Sequence, residues 1–291
     1  MKIFHHNDPD GRCGAAVAIK KLGKAAELIE MDYAKEVPVD RIQEGEHVYV
    51  IDFSFKPDVM KKVLAKTENV IWIDHHATAK EYEESYGRKL EGLRNFKECD
   101  EAGCELAWRY FFPDDPAPAA VRLVGDYDKW AHNLKDSTPF FEGLKLQPGS
   151  SDPRSALWHS LLLAGKTKLE DMTDQSMVKR IRDEGRIGIK YRDAYCQDMR
   201  KSYGYPTELG GLKCYAMNVY GFGSKAFGDL MKRYDACIAY TFDGNMFTVS
   251  MYSDNKDIDV SKVCKDQGGG GHKNAAGFQC KKLPFSPSDE E

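Results

Sequence analysis

Aspartate and histidine recur in this 291-residue chain in short blocks whose spacing suits metal ligation. The first block is His6-Asn7-Asp8-Pro9-Asp10-Gly11. The second is a single acid, Asp52, ending Val48-Tyr49-Val50-Ile51-Asp52. The third is Asp74-His75-His76, and the fourth is Asp126, with Asp128 beside it, in Gly125-Asp126-Tyr127-Asp128. So many carboxylates in one cleft could not all stay ionised, because each raises the pKa of its neighbours. Two divalent cations remove the conflict, with aspartate offering hard oxygens and histidine a borderline nitrogen. Mixed Asp and His ligation suits Mn²⁺ or another first-row ion better than Ca²⁺, leaving Mg²⁺ and Co²⁺ open. The absence of Cys from every block argues against structural zinc. Two cations roughly 3.5–4 Å apart can clamp the attacking and leaving oxygens of in-line displacement at phosphorus. Each block has a plainer reading alone: a helix cap for Asp52, a turn for Asp8-Pro9-Asp10, packing for the His pair. Their joint occurrence favours metal.

The elements that must carry these blocks alternate in type. Lys2–His5, Glu27–Met31, His47–Asp52 and Val70–Asp74 read as strands, Arg12–Leu22 and Pro57–Lys66 as helices, the latter with Pro at its start. This alternation implies βαβ units and a parallel sheet covered on both faces, an α/β fold. Three of the four acid blocks then fall at carboxyl ends of parallel strands, the edge where open α/β sheets bind ligands. From about Glu101 the pattern turns helical, over Ala102–Phe112, Ala117–Leu123 and Ser155–Ala164. A long charged helix follows, roughly Thr173–Ser202, polar on most sides as a connector between domains would be. Tyr203-Gly204-Tyr205-Pro206 breaks it. The expected division is therefore 1–202, 203–285 and a disordered acidic tail, 286–291. The second domain holds β-like runs at Leu212–Val219, Ala236–Thr241 and Met246–Tyr252, and a short helix near Val260–Lys265.

Composition narrows the class. Hydrophobic residues make up 42% and charged residues 30%, as in soluble globular chains. No apolar run is long enough to cross a bilayer, and the amino terminus resembles no secretion signal, so a cytosolic protein with no membrane partner is expected. The eight cysteines are scattered, the nearest pair being Cys99 and Cys104, and imply no disulfide framework. A net charge of −4 does not suit a long nucleic acid lying on a basic surface, yet leaves room for a small anion in a local pocket.

Near the carboxyl end stands Gly268-Gly269-Gly270-Gly271-His272-Lys273-Asn274-Ala275-Ala276-Gly277-Phe278. Glycines let a backbone approach an anion closely and expose its N–H groups, and His272 can donate to a phosphate oxygen. Taken together, His6-x-Asp8-x-Asp10-Gly11, Asp52, Asp74-His75-His76 and Gly125-Asp126 resemble the four motifs of DHH phosphoesterases, in the RecJ-like superfamily. The glycine run resembles the signature of the accompanying DHHA1 domain. The motifs keep the family's order across nearly the whole chain. The resemblance implies a DHH domain, a connecting helix and a smaller α/β substrate-binding domain. It implies one cation held by His6, Asp8 and Asp52, and another by Asp10, Asp52, His75 and Asp126, with Asp52 shared. His76 would contact the substrate phosphate or the nucleophile, a water held between the cations, and Asp74 would orient a histidine or touch metal. Gly269, Gly270, Gly271, His272 and Lys273 would bind substrate.

Two departures bear on the substrate. Where many relatives carry Arg in Ser-Leu-Arg-Ser, this chain has Ser250-Met251-Tyr252-Ser253. Tyr252 can stack on a base or donate one hydrogen bond, but cannot form a bidentate charged clamp. The short opening motif is similar to that of NrnA/NrnB-like oligoribonucleases of the nanoRNase type rather than the pyrophosphatase branch. The leading expectation is thus hydrolysis of very short oligoribonucleotides. Tyr220, Phe222 and Tyr252 are candidate base platforms. The alternatives are an exopolyphosphatase, for which Lys129, Lys225 and Lys273 are candidate cations, a pAp phosphatase and a cyclic or linear dinucleotide phosphodiesterase. A module binding nucleotides without hydrolysis would lack a ligand, and none is missing. A homodimer is left open.

Overall fold

The structure, a computed structural model, describes residues 1–33, 35–96, 100–163 and 176–288. Two compact units divide it, Met1–Gly188 and Ile189–Glu291. Cys99, Ala164, residues 173–175 of the expected long helix and residues 289–291 of the expected tail lie outside the described residues.

The first unit is built on a parallel sheet of β1 (Lys2–His6), β2 (Glu27–Met31), β3 (Val48–Ile51) and β4 (Val70–Ile73), in the order β2-β1-β3-β4. Side chains alternate between its faces. Ile3, Ile51 and Ile73 enter one apolar cluster with Val17 of α1 (Pro9–Leu22), while Phe4, Val50 and Trp72 enter another with Met60 and Val63 of α2 (Pro57–Lys66). A strand buried on both faces needs apolar residues at every position, which is why these strands read as unbroken apolar runs. After α3 (Lys80–Ser85) come α4 (Gly103–Phe111), α5 (Ala119–Asp128), α6 (Ser137–Lys145) and α7 (Ala156–Leu163). The helix expected at Ala117–Leu123 runs on to Asp128, so the fourth acid block is helical. α6 lies outside every helix expected from the sequence pattern.

The long helix, Ser176–Tyr203, crosses α6 at two glycines. A Cβ on Gly185 would lie 1.8 Å from the Pro139 carbonyl oxygen, and one on Gly143 would lie 1.8 Å from that of Ile181. The division between units falls inside this helix rather than at Tyr203, because Cys196 and Met199 pack into the core of the second unit.

The second unit is a six-stranded mixed sheet of β5 (Gly204–Leu209), β6 (Leu212–Asn218), β7 (Ala236–Phe242), β8 (Phe247–Tyr252), β9 (Gly270–His272) and β10 (Ala275–Cys280), in the order β5-β6-β7-β8-β10-β9. Among the described residues of this sheet, only β6 and β7 pair in parallel. Tyr203-Gly204-Tyr205-Pro206, expected to be a break, passes from helix straight into β5, an edge strand that tolerates Pro206. The start of the expected disordered tail is also ordered: Ser286 O accepts from Thr207 Oγ1 at 2.6 Å and Ser288 N donates to Pro206 O at 2.9 Å. A helix, Val260–Asp266, precedes the glycine run.

Replacing Gly185 by Ala forces apart two helices in backbone contact. The variant is expected to lose about 1–3 kcal/mol of stability, measured by urea denaturation, whereas Gly211→Ala, where nothing stands within 4 Å, should lose less despite its positive φ.

Candidate metal centre

Asp52 follows β3 with a φ of +53°, and its side chain is 1% exposed. Aspartate enters this left-handed region more readily than most residues, and such strain collects where a side chain must be aimed. Neither carboxylate oxygen of Asp52 takes a hydrogen bond from the described residues. His75 Nε2 stands 3.3 Å and His76 Nδ1 3.7 Å from Oδ1, and His6 Nδ1 stands 3.8 Å from Oδ2. Gly103 makes the close approach behind it possible, since a Cβ there would lie 2.6 Å from Asp52 Cβ and 2.8 Å from Asp10 Oδ2.

Each neighbouring acid is fixed by an element terminus. Asp8 caps α1, accepting from Gly11 N at 2.9 Å, and its other oxygen lies 2.8 Å from His6 Nδ1. Asp10 accepts from Gly103 N at 2.7 Å and Cys104 N at 3.0 Å, the first turn of α4, where a helix favours negative charge. His75 Nε2 lies 3.7 Å from Asp10 Oδ2 and 3.3 Å from Asp128 Oδ2. Three groups therefore offer ligand atoms within 4.8 Å of one another: His6, Asp8 and Asp52; Asp52, His75 and His76; and Asp10, His75 and Asp128. Hard oxygens, imidazole nitrogens and a buried carboxylate without donors are the donor set of divalent cations, and the residues fit them.

Asp74 serves another purpose. Its Oδ1 lies 2.7 Å from His76 Nδ1 and accepts from the backbone N–H of His75 and His76, while Ser54 Oγ donates to Oδ2. Trp72 Nε1 donates to Ser54 Oγ at 3.2 Å. The chain Trp72–Ser54–Asp74–His76 orients one imidazole.

Burial raises Asp52 well above the usual carboxylate range, and the charges of Asp10, Asp8, Asp128 and Asp74 add to it. Burial and the charges of Asp10 and Asp8 push Asp128 up to about 8. For His76, burial acts downward but is outweighed by the hydrogen bond and charge of Asp74, which bring it to about 9. For His75, burial and the charge of His76 act downward and outweigh the upward pull of Asp10 and Asp74, so its pKa is lowered. For Asp74 the burial effect is upward, and the bonds from His76 and Ser54 overcome it to lower the pKa.

The structure brings together His6, Asp8, Asp10, Asp52, Asp74, His75 and His76, but not Asp126. The Asp126 carboxylate accepts from the backbone N–H of Asn133 at 3.0 Å and Leu134 at 3.1 Å, closing the loop after α5. Asp128 takes the place beside His75. In the second unit, Gly270, Gly271 and His272 form β9 rather than a loop, and His272 and Lys273 are exposed. A Cβ on Gly271 would lie 2.6 Å from Ala276 Cα and one on Gly269 2.1 Å from Gly277 O, so strand packing itself demands glycine at both. Tyr252 pairs with Cys237 and Ala275 in the sheet and packs on the core beside Phe227, while Tyr220 is 84% exposed.

No known family profile matches the sequence. The protein R106 of Acanthamoeba polyphaga mimivirus is 24% identical over 270 residues, 87% of this chain and 58% of that one, so the chain spans under two thirds of its curated relative. Among solved structures, the pGpG-specific phosphodiesterase PggH of Vibrio cholerae is similar over 96% of this chain and 93% of its own, with a TM-score of 0.56 and 11% identity. RecJ of Thermus thermophilus in complex with Mn²⁺ is similar over 95% of this chain and 49% of its own, with a TM-score of 0.50 and 15% identity. The chain shares their fold.

An acid raised in the folded state keeps a proton that the unfolded chain releases, so it weakens the fold as pH rises. For Asp128 that loss runs from the ordinary 3.8 to about 8. The stability that His76 lends while charged is lost from 6.5 to about 9, in the same direction. Metal-free protein should therefore melt at lower temperature at pH 8 than at pH 6, and added Mn²⁺ should raise Tm more at pH 8. In calorimetric melts, Asp128→Asn should lose most of the Mn²⁺ response. Asp126→Asn should lower Tm and keep that response.

Proposed function

We propose that the chain is a divalent-cation-dependent phosphoesterase that hydrolyses phosphodiester bonds of very short oligoribonucleotides, releasing mononucleotides. The buried carboxylate of Asp52, which accepts no hydrogen bond from the described residues and is shared by two of the three ligand groups, carries this reading. His6, Asp8 and Asp52 would hold one cation, and Asp10, His75, Asp128 and Asp52 the other. Bound there, the pair would supply Lewis acidity at phosphorus and acidify water.

The chain's own residues supply positioning and protons. His76 is cationic at neutral pH, a third exposed, and held by Asp74, so it can donate to a phosphate oxygen or leaving group. Asp10 is pinned by the start of α4 and cannot swing away. His272 and Lys273, exposed in the second unit, are assigned to substrate phosphates, with Gly269, Gly270 and Gly271 keeping that backbone slim.

A dinucleotide is the shortest substrate of this class, and the likeness to PggH, a pGpG-specific phosphodiesterase, supports including it. The exopolyphosphatase alternative loses one cation: Lys129 Nζ lies 2.7 Å from Glu105 Oε2 and donates to Asp100 O at 2.5 Å.

The test is incubation of metal-stripped protein with Mn²⁺ and di- to pentaribonucleotides, pAp, pyrophosphate or polyphosphate. Stepwise mononucleotide release from the RNAs alone is expected, reduced roughly 10³-fold by Asp52→Ala. Phosphate release from polyphosphate alone would contradict the proposal.

A further inference from the structure

A feature beside the metal centre belongs to none of the sequence motifs. β1 and β2 run parallel with His6 opposite Met31, so the chain leaving β2 arrives at the sheet edge where His6 sits. Two residues on, the Tyr33 ring has its centroid 5.6 Å from that of His6 and 6.3 Å from that of His76. It stacks on Phe53, the neighbour of Asp52, at 4.7 Å and 29°. Phe53 is 3% exposed, whereas Tyr33 is 52% exposed. One buried ring thus supports a second, half-exposed ring next to two histidines of the centre.

Tyr33 and Phe53 also line a cavity of about 400 Å³, within the size range of small-ligand pockets. Lys35, Lys56 and Lys62 face it, as do Glu36 and Asp58. All these residues lie in the first unit. Exposing so large an aromatic costs apolar burial, which a stacking partner would recover.

From this we infer that Tyr33 is a nucleobase platform: the base adjoining the reacting phosphate stacks on its ring while the lysines face the flanking phosphate. The inference rests on the phosphoesterase reading and narrows its substrate class. Every base offers a π face, so the platform is indifferent to sequence. Polyphosphate and pyrophosphate gain nothing from it, so the platform favours nucleotides over inorganic substrates.

The test compares wild type, Tyr33→Ala and Tyr33→Phe on the ribodinucleotide ApA and on its analogues with either base removed. Stacking is worth about 1–3 kcal/mol per base, so Tyr33→Ala should raise KM for ApA about 5- to 150-fold with kcat nearly unchanged. Tyr33→Phe should behave as wild type. With one of the two abasic analogues, wild type and Tyr33→Ala should become alike. A loss confined to kcat, an equal loss on ApA and both analogues, or a Tyr33→Phe variant as damaged as Tyr33→Ala would overturn the platform. If wild type cleaves none of these substrates, the phosphoesterase reading falls by itself. Calorimetric binding of adenosine 5′-monophosphate in EDTA then decides: tenfold weaker binding to Tyr33→Ala upholds the platform, and equal binding sinks it.

Discussion

Crowded negative charge is the constraint on which the first unit is organised. Asp8, Asp10, Asp74 and Asp128 all raise the energy of an ionised Asp52 in a place water scarcely reaches. Among the described residues, no arginine or lysine pairs with Asp52 to relieve this. The fold holds the charges in place instead, with Asp8 and Asp10 spent on the starts of two helices and Asp74 on one histidine. Gly103 exists because no side chain fits between Asp10 and Asp52. Cations bound there would return the stability withheld in this way and so couple folding to metal.

The two histidines of one dipeptide illustrate how environment divides labour. His75 turns its Nε2 toward Asp10, Asp52 and Asp128, and burial keeps it neutral enough to ligate. His76, one residue on, is bonded to Asp74 and charged. A neutral imidazole and a cationic one therefore sit with ring centroids 4.7 Å apart.

Much of this was legible in the sequence. Parallel strands buried on both faces announce themselves as unbroken apolar runs, so an acid at the end of such a run marks the ligand-binding edge, as for Asp52 and Asp74. Asp128 was less legible than Asp126. The two stand about 200° apart on a helix, and the choice depends on which face α5 buries, a fact set by α4 and α6. Tyr33 had no signal at all, lying in a polar segment made significant only by the pairing of β1 with β2. In the second unit, β5 was hidden by Gly204 and Pro206, which an edge strand tolerates. β10 was hidden by Ala275-Ala276-Gly277, residues of poor strand propensity.

The most direct measurement is anomalous diffraction from crystals grown with Mn²⁺. Two manganese peaks are expected, both touching Asp52, one against His6 and Asp8 and the other against Asp10, His75 and Asp128. A single peak away from Asp52, or a manganese ligated by Asp126, would contradict this.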